Sequence, residues 1–120
     1  MHVTFILPAI SKLSGRRYLR TWSVEPLAIA ALAGVTPPQV ERTFFDDRLE
    51  SIDYERATDL VAISVETYTA RRAYQIAARY RARGVPVVMG GFHPTLAPRD
   101  ALEHADTIVQ GQAEDLWPKL

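Results

Sequence analysis

Five short apolar stretches, separated by helical spacing and turn residues, constrain this chain more than any other feature. Val3–Leu7, Val40–Phe45, Leu60–Val65, Val85–Met89 and Thr107–Val109 each have the length of a strand and the β-branched or aromatic content that strands favour. Leu60–Val65 is the clearest and reads as the central strand. Near-continuous apolar runs mark strands covered on both faces. Their alternation with helical patterns defines a parallel sheet joined by crossovers.

The punctuation between the runs agrees. Pro8 ends the first run, and the polar loop Ala9–Val24 that follows is long for a strand-to-helix connection, which makes it a candidate functional loop. Pro26 suits a first helical turn, and Leu27–Ala33 is apolar nearly all round and is expected to be buried. Gly34 stops that helix before Pro37 and Pro38. Asp46-Asp47 makes an acidic turn after the second run, and Ser51–Arg56 is expected to form a short helical turn. Thr67 or Thr69 is expected to cap the next helix. Its inward stripe is Ala70, Ala73, Tyr74, Ala77 and Tyr80, with Arg71, Arg72, Arg79, Arg81 and Arg83 mostly facing water. Gly84 ends it, and a further short helix is expected near Pro98–His104.

These elements predict one α/β domain over residues 1–120, a doubly wound parallel five-stranded sheet of order 2-1-3-4-5. That is a flavodoxin-like, Rossmann-like three-layer sandwich. At 120 residues it is long enough to bury about two-thirds of its unfolded surface.

Composition enters by exclusion. The formal net charge is zero, so long-range attraction favours neither nucleic acid nor an anionic membrane as partner. The local exception is Lys12, Arg16, Arg17 and Arg20, a solvated loop or a phosphate site. The chain has no cysteine, which removes disulfides, thiolate catalysis, zinc–thiolate sites and iron–sulfur clusters. No apolar run approaches the ~20 residues that span a bilayer, and no signal pattern opens the chain, so the cytoplasm is the expected compartment.

In sheets of this order, ligands bind beyond the carboxyl ends of the strands, at the switch point between strands 1 and 3. The rule selects the loop after Leu7, Ser64–Thr69, Gly90–Thr95 and Gln110–Glu114. Gly90-Gly91 either admits a ligand against bare backbone or makes a tight turn. Ser64 offers a hydroxyl as a ligand contact or as a packed or capping serine. Glu66 either accepts ligand hydrogens or is a solvated carboxylate, and Thr67 or Thr69 opens a helix near an anionic group. His93, in His93-Pro-Thr95, could contact a ligand or titrate near neutral pH, but it has no second ligand at metal spacing. His2 and His104 are expected at the surface. Gly111 fits a turn, and Glu114 anchors the next turn or contacts a ligand. Trp117 and Pro118 are expected to pack on the domain edge, and Trp22 is a lid or a core anchor.

Taken together, Val61-Ala-Ile-Ser-Val, the run Ala73 to Thr95 with Gly90-Gly-Phe-His-Pro-Thr, and Ala101–Glu114 resemble the N-terminal cobalamin-binding domain of class B radical S-adenosylmethionine (SAM) enzymes. Ser23–Leu32 and Leu60–Thr67 fit the same pattern, so the resemblance covers essentially the whole chain. It implies cobalamin as cofactor, held by Ser64, Glu66, Thr67, Gly90, Gly91, His93, Thr95, Gly111 and Glu114. It implies no catalytic residue and no protein metal ligand on this chain, and a radical SAM catalytic domain, supplied in cis or in trans, as partner.

Three departures qualify the resemblance. Cobalamin domains of the mutase type carry Asp-x-His-x-x-Gly after strand 1, but Pro8–Gly15 contains no histidine, which implies a base-off corrinoid without a lower imidazole from this chain. Glu66 replaces a usual leucine, and Gly111-Gln112-Ala-Glu114 stands where the family has Gly-Glu-x-Glu. With no Cys-x3-Cys-x2-Cys motif, the iron–sulfur cluster and SAM would belong to a parent enzyme, a methyltransferase or a related radical enzyme, whose radical SAM domain is absent from these 120 residues. The alternatives are a receiver-like signalling domain and a flavin- or nucleotide-binding domain. The first lacks the acidic set at strand ends, and the second lacks Gly-x-Gly-x-x-Gly after strand 1.

Overall fold

Alternation along each strand decides which side chain faces which layer. The computed structural model describes residues 1–9 and 39–110. Its strands are β1 (His2–Leu7), β2 (Glu41–Asp46), β3 (Leu60–Ser64), β4 (Val87–Gly90) and β5 (Thr107–Ile108). All pair in parallel in the order β2-β1-β3-β4-β5, which is the predicted topology.

Period-two alternation sorts the core into two clusters, one per face. Ile6, Val61, Ile63, Val65, Val87 and Met89 belong to the larger one, with side chains from the helices. Val3, Phe5, Ala62 and Val88, one residue out of phase, form the smaller one with Val109. Both faces are therefore buried, which explains why these strands read as continuous apolar runs.

Three helices are described: α1 (Ala70–Ala82), α2 (Phe92–Leu96) and α3 (Pro98–Leu102). Helix α1 enters through a 3-10 turn, Thr67–Thr69, and buries Ala70, Ala73, Ile76, Ala77 and Tyr80 against the sheet. Burying Ile76 and Tyr80 stabilises the packing by about 1.5–3 kcal/mol each. The small alanines let the helix lie close. Gly84, at φ +77°, ends the element where a residue with a Cβ would be strained.

The structure corrects several expectations. Ser51–Arg56 is reduced to a single hydrogen-bonded turn, the Arg56 amide donating to Asp53 O at 3.4 Å, and the Glu55 amide donates to Asp53 Oδ1 at 3.1 Å, the aspartate side chain competing with further helical bonding. Strand 4 starts at Val87 rather than Val85, because Pro86 has no N–H and the Val85 amide donates to Tyr80 O. The helix expected near Pro98–His104 ends at Leu102, and α2 precedes it. The Thr69 hydroxyl is turned back on the entry turn, accepting from the Glu66 amide at 3.0 Å, and caps no α1 amide. The loop Ala9–Val24 beyond Ala9, the helix Leu27–Ala33, the cluster Lys12, Arg16, Arg17 and Arg20, Trp22, Gly111, Gln112, Glu114, Trp117 and Pro118 lie outside the described residues.

Candidate functional site

Parallel strands bring their carboxyl ends to one edge, and register sets which residues meet there. Ser64, the last residue of β3, pairs with Gly90, the last of β4. The Val65 amide donates to Gly90 O at 2.8 Å, and the His93 amide donates to Val65 O at 3.1 Å. Ser64, Glu66, Gly90, Gly91 and His93 are thus assembled at the edge that the topology rule selects.

The two glycines differ in what requires them. Gly91 has φ +108°, and a Cβ there would lie 2.6 Å from Val65 O. It is glycine because the turn passes directly over the neighbouring strand end. A Cβ on Gly90 would meet nothing closer than Val109, at 3.9 Å. Gly90, not Gly91, therefore leaves room at the edge for a ligand to approach.

Ser64 is half-buried, and no hydrogen bond engages its hydroxyl among the described residues. Glu66 is half-buried as well, and burial raises its carboxyl pKa above the ordinary range. Thr67 is exposed at the start of the 3-10 turn, while Thr95 Oγ1 donates to Gly91 O at 2.9 Å and closes the turn from within. Ser64 is therefore available to a ligand; the Glu66 side chain accepts from the Thr69 amide in a capping box and keeps further acceptor capacity, whereas Thr95 serves the turn.

Sequence reasoning missed two polar groupings. Arg72, expected to face water, has a side chain only 12% exposed and pairs with the fully buried Asp47. Its Nε and Nη2 donate to the two carboxylate oxygens at 2.8 and 3.1 Å, and the Ala9 amide donates to Asp47 Oδ2 at 3.0 Å. The ends of β1 and β2 and the start of α1 are thereby tied together at the ligand edge. Burial works to lower the Arg72 pKa, but the hydrogen bonds and charge of Asp47, joined by Tyr54, together outweigh it and raise the pKa. An acidic pair directly after strand 2 was the only advance signal.

The second grouping surrounds His93. Its Nε2 lies 2.7 Å from the Tyr74 hydroxyl and 3.0 Å from Asp100 Oδ2. Tyr74 stacks on His104 with ring centroids 3.8 Å apart, so His104 is half-buried rather than at the surface. His2 is half-buried too, its Nε2 2.6 Å from Thr43 Oγ1. Nothing in the spacing of Tyr74, His93 and Asp100 announced this cluster. Among the described residues no group of histidines and carboxylates could hold a metal ion. No helix among them is long and apolar enough to cross a membrane.

These features define a doubly wound α/β ligand-binding domain, with a glycine turn and an unengaged serine side by side at its switch-point edge. The family described as the B12 binding domain matches residues 10–120, and the chain belongs to it. Its cofactor is accordingly a cobalamin, which decides against the receiver and flavin alternatives.

Two relatives from Chlorobaculum tepidum agree. The chain is 41% identical over 95 residues to bacteriochlorophyllide d C-8(2)-methyltransferase, covering 78% of this chain and 21% of that protein. It is 33% identical over 97 residues to bacteriochlorophyllide d C-12(1)-methyltransferase, covering 79% and 21%. The chain thus spans about a fifth of the length of the curated relatives it matches. No solved structure matches it.

The residues fit the cofactor. An open Gly90, an unengaged hydroxyl beside it in register and a desolvated carboxyl at Glu66 supply bare backbone and hydrogen-bonding groups for a large amide-rich ligand.

Proposed function

We propose that this chain is the cobalamin-binding part of a cobalamin-dependent methyltransferase of the radical SAM type. The observation that carries this reading is the Ser64–Gly90 pair, a hydroxyl without a partner among the described residues beside an open backbone position, in a chain of the B12-binding family. Ser64 and Glu66 hydrogen-bond the cofactor, and Gly90 admits it against the strand end. Gly91 and Thr95 hold the turn, and Thr67, His93, Gly111 and Glu114 complete the contacts. Cobalt, when the cofactor is bound, supplies the methyl-carrying chemistry, and the protein supplies binding and orientation.

Two finer points belong to the same reading. The stretch Pro8–Gly15 has no histidine, so the corrinoid binds base-off without a lower imidazole from it. The 120 residues contain no cysteine, so the iron–sulfur cluster and SAM sit on a catalytic domain supplied in cis or in trans. Both relatives are named as methyltransferases acting on bacteriochlorophyllide d, and methyl transfer is the reaction proposed for the parent enzyme. The cytoplasm is the proposed compartment, with neither nucleic acid nor membrane as partner.

The test is a titration of the full chain with hydroxocobalamin, followed by absorbance and thermal unfolding. Saturable spectral change with a higher melting temperature is expected, and both should weaken in Ser64→Ala. Neither response at high cobalamin would refute the reading.

A further inference from the structure

The Gly90–Thr95 turn is held from two sides. Backbone bonds to Val65 fix it to β3, while the His93 side chain, buried to 9% exposure, fixes it to the helices through Tyr74 of α1 and Asp100 of α3. The Tyr74 hydroxyl donates to the same Asp100 Oδ2 that His93 Nε2 approaches.

Proton accounting assigns the roles. Burial first, and then Asp100, push the Tyr74 phenol far up, so it keeps its proton and gives it to Asp100. The hydrogen bonds from Tyr74 and then His93 hold the Asp100 carboxyl below its usual range, so it stays an acceptor. Nε2 therefore faces two oxygens, one a carboxylate and the other already donating its proton elsewhere. Only an Nε2–H satisfies both. A neutral imidazole with its proton on Nε2 has a bare Nδ1, and no hydrogen bond engages that atom among the described residues.

We infer that Tyr74 and Asp100 are positioning residues that hold His93 in the Nε2–H tautomer, leaving Nδ1 as an acceptor for a carboxamide N–H of the corrinoid periphery. The inference rests on the corrinoid reading above and deepens it. Corrinoids carry primary amides around the ring, and a tautomer fixed from behind makes one nitrogen a dedicated acceptor for them. Tyr74 and Asp100 thus tune cofactor affinity through His93.

The experiment has two readouts on the full chain. Long-range proton–nitrogen spectra of the histidine rings should show His93 in the Nε2–H form before any cofactor is added. That single form should be lost when both oxygens are taken away in Tyr74→Phe combined with Asp100→Ala, and kept in Tyr74→Phe alone, where the Asp100 carboxylate still accepts from Nε2. Hydroxocobalamin titrations should then give an affinity weaker by up to about tenfold in the double variant, the loss of one neutral hydrogen bond, and little change in Tyr74→Phe alone. His93→Gln, which keeps a donor toward Asp100 but places no acceptor at the Nδ1 position, should lose a similar factor at an unchanged melting temperature.

An Nδ1–H tautomer or a fully charged imidazole in the wild type overturns the inference without involving cobalamin. So does a His93→Gln chain that binds as tightly as wild type. If the wild-type chain binds no hydroxocobalamin at all, the corrinoid reading falls, and the role of Nδ1 falls with it. An Nε2–H tautomer would then stand as a structural feature alone.

Discussion

The Cβ that Gly91 lacks would lie 2.6 Å from the carbonyl oxygen of Val65 and 3.1 Å from its amide nitrogen. The turn after β4 crosses the end of β3 at a separation that only a bare Cα permits. Gly90, one residue earlier, pairs with Ser64 and meets no such obstacle. A pair that looks uniform in the sequence is divided between a position the fold requires to be glycine and one it leaves open.

Gly91→Ala is expected to destabilise the domain by about 3 kcal/mol or more, since it adds a backbone clash to a φ of +108° that side chains rarely adopt. Gly90→Ala is expected to cost no more than about 1 kcal/mol. It should nevertheless weaken hydroxocobalamin binding, because the added methyl occupies the open position. Urea unfolding of the two variants beside a cobalamin titration checks both. Equal stability losses would contradict this division.

The Asp47–Arg72 pair gives a second prediction. Asp47 is fully buried and accepts from Ala9 as well as from Arg72, so Arg72→Met removes the guanidinium that bonds both oxygens of a buried carboxylate. Breaking such a pair from one side costs about 3–5 kcal/mol. Asp47→Asn combined with Arg72→Met is expected to lose clearly less than the sum of the two single variants, because no charge is then stranded. A double-mutant cycle by urea unfolding measures this directly, and strict additivity would contradict the coupling.

The sheet and its order were legible because they rest on patterns that neighbouring residues carry. Apolar runs such as Leu60–Val65 and Val85–Met89 name the strands, Gly84 stops α1, and parallel pairing with the switch point then follows from connectivity. The carboxyl-edge positions Ser64, Gly90 and His93 were legible for the same reason. What stayed hidden depends on residues far apart in sequence. Arg72 looks like the other arginines of α1 until the end of β2 places Asp47 beside it. Tyr74 reads as an ordinary member of the apolar stripe, yet its hydroxyl is engaged by His93 and Asp100, and Ile76 takes the deeper position. Ser51–Arg56, expected as a short helical turn, stays a single turn because Asp53 captures a local amide.

Alkaline pH should weaken the fold through its tyrosines. Burial is the main cause of raised phenol pKa values at Tyr54, Tyr74 and Tyr80, with Tyr80 pushed up to about 12. A folded state that keeps protons the unfolded chain releases loses stability as pH rises from the ordinary tyrosine value, about 10, through the folded values. Thermal midpoints should therefore fall steadily above about pH 10. Phenolate absorbance in Tyr80→Phe should show one late-titrating group fewer than wild type. A flat midpoint between pH 9 and pH 11, at roughly one unit either side of that value, would count against this account.

Glu66 gives the opposite end of the pH range. Burial raises its carboxyl pKa, so the folded chain holds a proton there that the unfolded chain has already released. The sign follows directly: stability falls as pH rises from the ordinary glutamate range through the folded value, and the loss then stays constant at higher pH. Glu66→Gln keeps the shape and removes the titration. It is expected to melt at a modestly higher temperature than wild type at neutral pH, with the difference closing below about pH 4, where both side chains are uncharged. Half-exposure keeps the effect small, since solvent still reaches the carboxylate. The pH dependence of the difference is the diagnostic quantity. A gap that persisted unchanged into acid would mean that the glutamine gains come from packing rather than from relief of a desolvated charge.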